Sequence, residues 1–265
     1  MNEMNQKSEV IKQYKDTQKF SKRQNFHDKY STNKYGFRNF MFDQYDIKEN
    51  SRILELGCGN GLMWDEKYNE LPKNVHLILS DFSSGMCDLV REKQKNHQNV
   101  EVKQIDIQNI PYEDNLFDIV IANHMLYHVE DVDKAIEEVY RVLKPGGIFY
   151  ASTLGVNGFQ KYLNQKFKEF NKEMDFFNIE NWGFTLKNGR DVLKKKFNKI
   201  DIVEYKDSIE INDENILVEW VLTSTVLQEI EKEELEGLST CFAKDKDENG
   251  IIHIPKQIGC FIAIK

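Results

Sequence analysis

Ile53-Leu54-Glu55-Leu56-Gly57-Cys58-Gly59-Asn60-Gly61 is the stretch of sequence that decides the fold. It is a short, mainly apolar segment that leads directly into three glycines at alternate positions. Glycine is needed where the backbone turns sharply or where a ligand approaches the main chain closely. The stretch therefore predicts a buried strand that ends in a ligand-binding turn, and three glycines would also suit a turn without a ligand.

Short apolar strands alternate with amphipathic helices on either side of this stretch, from about residue 50 to residue 155. Such alternation is typical of βαβ units, in which a mainly parallel sheet carries helices on both faces. We therefore expect an α/β fold with a Rossmann-like, doubly wound sheet. Two further strands after residue 155 bring the expected number to seven, and the last of them is expected to insert as an antiparallel member. The strands are predicted at residues 52–56, 75–80, 100–105, 117–122, 148–152, 200–205 and 259–264.

The remaining segments are assigned to the same domain, which spans residues 1–265. Residues 1–48 are predicted to form a helical cap, 49–155 the core of the sheet, and 156–265 a C-terminal half with a charged, helical excursion at 207–256. The cap contains a run of aromatic and hydrogen-bonding side chains, Asn25 to Gly36, that fits neither helical nor strand periodicity. This run is either a turn or a surface that faces a substrate.

Composition excludes several classes of protein. The chain is 40% hydrophobic and 30% charged, without an apolar run of the roughly 20 residues that a membrane span needs. The beginning of the chain has no apolar core of the signal-peptide kind, so we expect a cytoplasmic protein. A net charge of −8 argues against nucleic acid as a partner. The four cysteines lack metal-ligand spacing, so no metal is predicted.

The glycine spacing separates this loop from that of dinucleotide-binding dehydrogenases. Leu62 stands where their G-x-G-x-x-G pattern would need its third glycine, and Glu55 lies inside the strand. The pattern E-x-G-x-G-x-G instead resembles the first signature motif of class I S-adenosylmethionine-dependent methyltransferases. The resemblance covers roughly residues 50–155 and is greatest to the branch that methylates quinone precursors and other small molecules.

This resemblance implies S-adenosyl-L-methionine as the cofactor. In that family the glycine loop, here Gly57, Cys58, Gly59 and Gly61, lies under the amino-acid end of the cofactor, and Glu55 helps to hold the site. Asp81 follows the second predicted strand, where a carboxylate can accept hydrogen bonds from both ribose hydroxyls. An Asp in this place can also be a helix N-cap, but Ser83 or Ser84 can take that role here.

Further motifs follow the same order as in the family, each at the carboxyl end of a predicted strand. Phe82 and Met86 are expected to pack near the adenosine. Asp106 and Ile107 are expected at the adenine amino group and ring face. The tip of the fourth strand should lie nearest the reactive methyl group, and it adds two expected cofactor-binding residues, Asn123 and His124.

The acceptor is expected to be a small molecule. The strand tip lacks the Asn-Pro-Pro-Tyr form that methylates adenine or glutamine nitrogens, because Asn123 is followed by His124-Met125-Leu126. We expect the cap to face this tip, so His27, Tyr30 and His128 are candidate catalytic residues, although each also suits a structural role. Two alternatives stay open: a nicotinamide-dependent oxidoreductase, and a regulator or partner subunit that binds the cofactor without catalysis. The sequence leaves the oligomeric state open.

Overall fold

A single seven-stranded sheet organises the chain. The computed structural model describes residues 17–174, 179–223 and 232–265. The strands are β1 (Arg52–Leu56), β2 (His76–Asp81), β3 (Val100–Gln104), β4 (Phe117–Asn123), β5 (Leu143–Leu154), β6 (Lys199–Ile211) and β7 (Ile252–Ile264). Their order across the sheet is β3-β2-β1-β4-β5-β7-β6.

Strand direction follows the predicted pattern. β1 pairs in parallel with β2 and β4, and the parallel part continues outward through β3 and β5. β7 is antiparallel to both of its neighbours, β5 and β6. The prediction of an α/β, doubly wound sheet with an antiparallel last strand is confirmed. Because β1 to β4 all run the same way, their carboxyl ends meet at one edge of the sheet.

Helices cover both faces of this sheet. They are α1 (Thr17–Tyr30), α2 (Phe37–Gln44), α3 (Ser84–Gln94), α4 (Val132–Val142), α5 (Phe159–Phe170), α6 (Gly189–Leu193), α7 (Asn215–Leu222) and α8 (Lys232–Ala243). Alternate residues of β4 enter opposite cores, since Val120 belongs to the same buried cluster as Ile136 of α4, whereas Ile121 belongs to the cluster that contains Met41 of α2. This period of two is what a strand buried on both faces requires.

The last two strands are longer than the sequence predicted. All thirteen residues of β6 pair with β7, so residues 207–211 and 252–256 belong to the sheet and not to the helical excursion expected at 207–256. Charged residues alternate with apolar ones in this hairpin, and the charges obscured a strand period of two. The excursion is reduced to α7 and α8, and residues 224–231 between them lie outside the described residues.

Helix α1 of the cap packs into a third hydrophobic cluster, which includes Phe26, Phe159, Ile209 and Trp220. Phe26 of α1 lies 5.5 Å from Phe159 of α5 and 6.1 Å from Trp220 of α7, measured between ring centroids. The turn after α1 is tied to the edge strand, because Ser31 bridges to Ile209. Helices α1 and α2 fall within the predicted cap, and residues 1–16 of that prediction lie outside the described residues.

Among the residues described, the structure has no helix that is both long enough and apolar enough to cross a membrane.

We expect the antiparallel closing strand to be essential for stability. Phe261 of β7 is 1% exposed, and its ring lies 5.6 Å from that of Phe184. Phe261→Ala should lower the free energy of unfolding by about 3–5 kcal/mol, because it leaves a cavity between β7 and the segment that carries Phe184. Urea unfolding followed by circular dichroism measures the change.

Leu222→Ala is the matched control, because Leu222 is 43% exposed and its loss should cost less than about 1 kcal/mol. Equal effects of the two substitutions would contradict the placement of β7 in the core.

Candidate functional site

The glycine bend lies at the carboxyl end of β1, as predicted. Gly57, Gly59 and Gly61 all have positive φ angles, of 73°, 56° and 75°. A methyl group at Gly57 would lie 2.8 Å from the Cβ of Met125, so a side chain there would clash as well as strain the backbone. The bend therefore requires glycine, and it places the main chain at the edge of the sheet formed by the carboxyl ends of the parallel strands.

Glu55 joins the bend to the neighbouring loops from inside the sheet. It is 1% exposed, and its Oε2 accepts a 2.6 Å hydrogen bond from Trp64 Nε1. Its Oε1 accepts a 3.3 Å hydrogen bond from Asn123 Nδ2, at the tip of β4. Burial, opposed by these two hydrogen bonds, raises the pKa of Glu55 to about 7. This carboxyl group thus gains or loses its proton near neutral pH.

Asp81 at the end of β2 is hydrogen-bonded to the glycine bend itself. Its Oδ2 accepts from Gly59 N at 2.9 Å, and its Oδ1 accepts from Ser83 N at 2.8 Å. Burial raises its pKa, and the backbone hydrogen bonds oppose that shift. The N-cap of α3 is Ser83, whose Oγ accepts from Met86 N. A carboxylate has about four lone-pair positions, so Asp81 keeps capacity for a ligand.

The other residues expected around an adenosine lie along the same edge, after β2 and β3. Phe82 is half-buried, whereas Met86 lies on the buried face of α3 and is fully enclosed. Asp106 Oδ1 accepts a 3.0 Å hydrogen bond from Gln108 N, which fixes the turn after β3. Ile107 is 4% exposed and packs into the core below that turn. The turn therefore presents a carboxylate over an apolar base.

Asn123 is more enclosed than the sequence suggested. Its Nδ2 donates to Tyr45 Oη at 2.8 Å as well as to Glu55, and its Oδ1 accepts from Ser152 Oγ at 3.0 Å. The amide therefore links the tips of β1, β4 and β5 to the end of the cap. Cys58 is also buried, with its backbone N donating to Ser80 O at 2.8 Å.

Two imidazoles from distant parts of the sequence come together beside this edge. The ring of His27 in α1 lies 5.4 Å from that of Phe159, and the ring of His124, which follows β4, lies 4.7 Å from that of Phe37, measured between centroids. Burial lowers the pKa to about 3 for His27 and about 4 for His124. Neither ring makes a side-chain hydrogen bond within the described residues, and Nδ1 of each is fully enclosed. Both rings are neutral at pH 7, and each keeps some exposed surface.

The other two candidate catalytic residues lie nearby in different surroundings. His128 ends the short helix Leu126–His128, and burial followed by the charge of Arg23 lowers its pKa to about 4. Tyr30 packs on Phe26 at 5.3 Å between ring centroids. Its ring also lies 5.0 Å from Lys29 Nζ, so Tyr30 belongs to the outer part of the cap.

Four residues of this region were missed by the sequence analysis: Tyr45, Trp64, Asp207 and Lys256. The first two hold the Glu55 and Asn123 network, and a Trp close after a strand with a buried Glu is a usable signal, because a buried indole N–H needs an acceptor. The last two form an ion pair inside the β6–β7 hairpin. They were hidden in the segment expected to be helical.

The raised pKa of Glu55 predicts a specific loss of stability with rising pH. The folded state holds a proton up to about pH 7 that the unfolded state loses near pH 4.5. The free energy of unfolding should therefore fall as pH rises through this window, at up to about 1.4 kcal/mol per pH unit and by about 3 kcal/mol in all. Glu55→Gln cannot ionise and should remove this part of the slope.

Urea unfolding of the wild type and Glu55→Gln at pH 5, 6, 7 and 8 measures the free energy of unfolding of each. The difference between the two proteins isolates Glu55, because the other titrating groups contribute equally to both. Identical slopes for the two proteins would show that Glu55 ionises normally.

Comparison with known proteins finds similarity in the part of the chain that carries the glycine bend. Residues 54–151 match the sequence profile of a methyltransferase domain. The demethylmenaquinone methyltransferase of Lactobacillus johnsonii is 34% identical over 115 residues, which are 42% of this chain and 47% of that protein. The chain thus spans about half the length of this curated relative. Residues 152–265 of this chain, which include the β6–β7 hairpin, lie outside the matched profile.

Solved structures share the fold over most of the chain. The YcgJ protein of Bacillus subtilis superposes with a TM-score of 0.60 at 17% identity, covering 86% of this chain and 97% of that one. A Haemonchus contortus phosphoethanolamine N-methyltransferase in complex with S-adenosyl-L-methionine has a TM-score of 0.55 at 21% identity, covering 86% of this chain and 52% of that one. Residues 54–151 therefore resemble a methyltransferase domain, and the chain shares its fold with a methyltransferase that binds S-adenosyl-L-methionine.

Proposed function

We propose that this protein is an S-adenosylmethionine-dependent methyltransferase that acts on a small molecule. The observation that carries the proposal is the 2.9 Å hydrogen bond from Gly59 N to Asp81 Oδ2. It joins a glycine bend to a strand-end carboxylate at adjacent tips of a parallel sheet, where ligands bind in such folds. When bound, the cofactor supplies a methyl group already activated by a positively charged sulfur.

The residues proposed to hold the cofactor follow the strand tips in order. The glycine bend and Glu55 serve the amino-acid end, Asp81 the ribose, and the turn after β3 the adenine. Asn123 acts by holding Glu55, since its own amide is engaged inside the protein. The complete proposed set is Glu55, Gly57, Cys58, Gly59, Gly61, Asp81, Phe82, Met86, Asp106, Ile107, Asn123 and His124.

The acceptor is proposed to bind between α1 and the tip of β4, in contact with His27, Tyr30 and His128. A methyl transfer of this kind needs a nucleophile held in line with the methyl group and shielded from water. Neutral imidazoles suit that task, because each ring can donate one hydrogen bond and accept another. A curated relative named for demethylmenaquinone supports a small-molecule acceptor, as does the net charge of −8. A cytoplasmic location remains a prediction, which fractionation of cells would test.

Cofactor binding gives the first test. We expect calorimetry to detect binding of S-adenosylhomocysteine to the wild-type protein, and Asp81→Asn to weaken it by about tenfold or more through loss of charge-assisted hydrogen bonds. Asp88→Asn is the control, because the Asp88 side chain is 72% exposed on α3 and points to solvent. NAD should not bind.

Binding of NAD in place of S-adenosylhomocysteine would support an oxidoreductase. Equal affinities of wild type and Asp81→Asn for S-adenosylhomocysteine would remove Asp81 from the site.

Methyl transfer gives the second test. The protein, incubated with S-adenosylmethionine labelled in the methyl group and a cell extract, should label compounds that pass a filter retaining macromolecules. His27→Ala and Tyr30→Ala should each lower this rate by about tenfold, if these side chains hold the acceptor, while S-adenosylhomocysteine binding stays at the wild-type level. Unchanged rates would remove both residues from the acceptor site.

Tight cofactor binding without transfer to any fraction would instead favour a regulator or partner subunit. Label found mainly in protein or nucleic acid would contradict the small-molecule acceptor.

A further inference from the structure

An ion pair is buried inside the β6–β7 hairpin, outside the matched methyltransferase profile. Lys256 of β7 and Asp207 of β6 face each other in register, and their side chains are 7% and 0% exposed. The pair also contacts the turn between α1 and α2, since Ser31 Oγ donates to Asp207 Oδ2 at 2.7 Å. Charges are rarely buried in this way without a further role or a set of compensating hydrogen bonds.

The carboxylate of this pair is fully engaged. Besides Lys256 and Ser31, the Asp207 oxygens accept hydrogen bonds from Asn33 N at 3.0 Å and Ser208 N at 2.9 Å. Burial raises the pKa of this carboxyl group, but the hydrogen bonds outweigh burial and hold the pKa below its usual value. Asp207 is therefore an ionised and fully saturated group.

The ammonium group is not saturated. Lys256 Nζ donates to Asp207 Oδ2 and, at 2.8 Å, to Ser31 Oγ. An ammonium group has three donors, and no third acceptor for it lies among the described residues. A charged donor that is more than nine-tenths buried and lacks a partner costs free energy, unless a ligand supplies the acceptor.

The fold brings this ammonium group toward two imidazoles that make no side-chain hydrogen bond within the described residues. Ser31, which accepts from Lys256 Nζ, lies one helical turn after His27, and its backbone N donates to His27 O at 3.1 Å. After burial itself, the charge of Lys256 is the largest factor that lowers the pKa of both His27 and His124. Aromatic contacts connect these groups, with Phe37 lying 4.7 Å from the His124 ring and 5.6 Å from Tyr205 of β6, measured between centroids. The positive end of the ion pair thus lies toward the tip of β4, where the acceptor is proposed to bind.

We propose that Lys256, His27 and His124 form an oxyanion subsite, and that the methyl acceptor carries a carboxylate or the anion of a phenol or enol. This inference rests on the proposed function and specifies its acceptor. The unused N–H of Lys256 donates to the anionic oxygen, and the neutral imidazoles donate or accept as the rest of the ligand requires. An acceptor with an ammonium group is repelled, because Asp207 has no capacity left to neutralise it.

An anionic acceptor also simplifies the chemistry. The electron pair of the acceptor anion forms the new bond to the methyl carbon, and the pair of the broken carbon–sulfur bond remains on sulfur. The negative and positive charges disappear together, so no proton has to move in this step. Lys256 therefore binds and orients the acceptor without acting as an acid or a base.

Matched ligands of different charge test the subsite without knowledge of the natural acceptor. The full-length protein, saturated with S-adenosylhomocysteine and labelled in its six histidines, is titrated with benzoate, benzyl alcohol and benzylamine. Benzoate should shift the ring signals of His27 and His124 at concentrations at least about tenfold below those needed for the other two. Acetate serves as a smaller carboxylate and 4-nitrophenol at pH 8 as a phenolate, which distinguishes the two sources of an oxyanion.

The decisive variant changes both partners of the ion pair. Lys256→Met alone would strand the buried Asp207 charge and destabilise the fold, whereas Asp207→Asn with Lys256→Met leaves no charge behind. The double variant should bind S-adenosylhomocysteine as the wild type does, keep its weak affinity for benzyl alcohol, and lose about tenfold in affinity for benzoate.

The outcomes separate this inference from the proposed function. Failure of the wild type to bind S-adenosylhomocysteine would overturn the proposed function itself. Three results, each with normal cofactor binding, would overturn only the oxyanion subsite. They are equal affinities for benzoate, benzyl alcohol and benzylamine, no shift of the histidine signals by any carboxylate or phenolate, and equal benzoate affinity in the wild type and the double variant.

Discussion

The hydrogen bond between the Gly59 amide and the Asp81 carboxylate is the contact on which the rest of the candidate site depends. It exists because β1 and β2 are parallel neighbours, so the bend after one strand meets the residue that ends the other. The three positive φ angles of the bend can be held only by glycine without strain. Sheet topology and the backbone conformation of the glycines thus both determine the position of the bend relative to Asp81.

Behind this contact lies a network that makes the site rigid. Glu55 accepts hydrogen bonds from Trp64 and Asn123, and Asn123 is held in turn by Tyr45 and Ser152. Such buried polar networks are rigid when each member is satisfied, because an unpaired member would carry a large desolvation cost. In contrast, the His27 and His124 rings make no side-chain hydrogen bond within the described residues, and Lys256 Nζ has two acceptors there for its three donors. The satisfied Glu55 and Asn123 network therefore serves as a scaffold, whereas the groups with unused hydrogen-bonding capacity are suited to bind a ligand.

The sequence predicted β1 to β4 to within one residue at each end, but β5 only as residues 148–152 of Leu143–Leu154, and the segments after residue 155 less well. β1 was predicted with its observed bounds, because a short apolar run that ends directly before Gly57 has the length and pattern of a buried strand. β6 and β7 were predicted as strands of six residues, although each has thirteen. Their outer halves carry Lys206, Asp207 and Lys256, and the local charge density outweighed the alternation. Pairing of the two strands stabilises these residues in the sheet, and no local pattern records that pairing.

The amino-acid sequence by itself determined the doubly wound sheet and the places of Glu55, Gly57 and Asp81, because strand period, glycine geometry and the order of motifs act over short distances along the chain. Only the tertiary structure decided which side chains meet across long distances. Ser31, one turn after His27, binds Lys256, and Phe37 of the cap lies against His124, although these residues belong to the cap, the strand tip and the final hairpin. The physical reason is that the position of His27 depends on the packing of α1 in the third hydrophobic cluster, whose residues come from elements remote from one another in sequence.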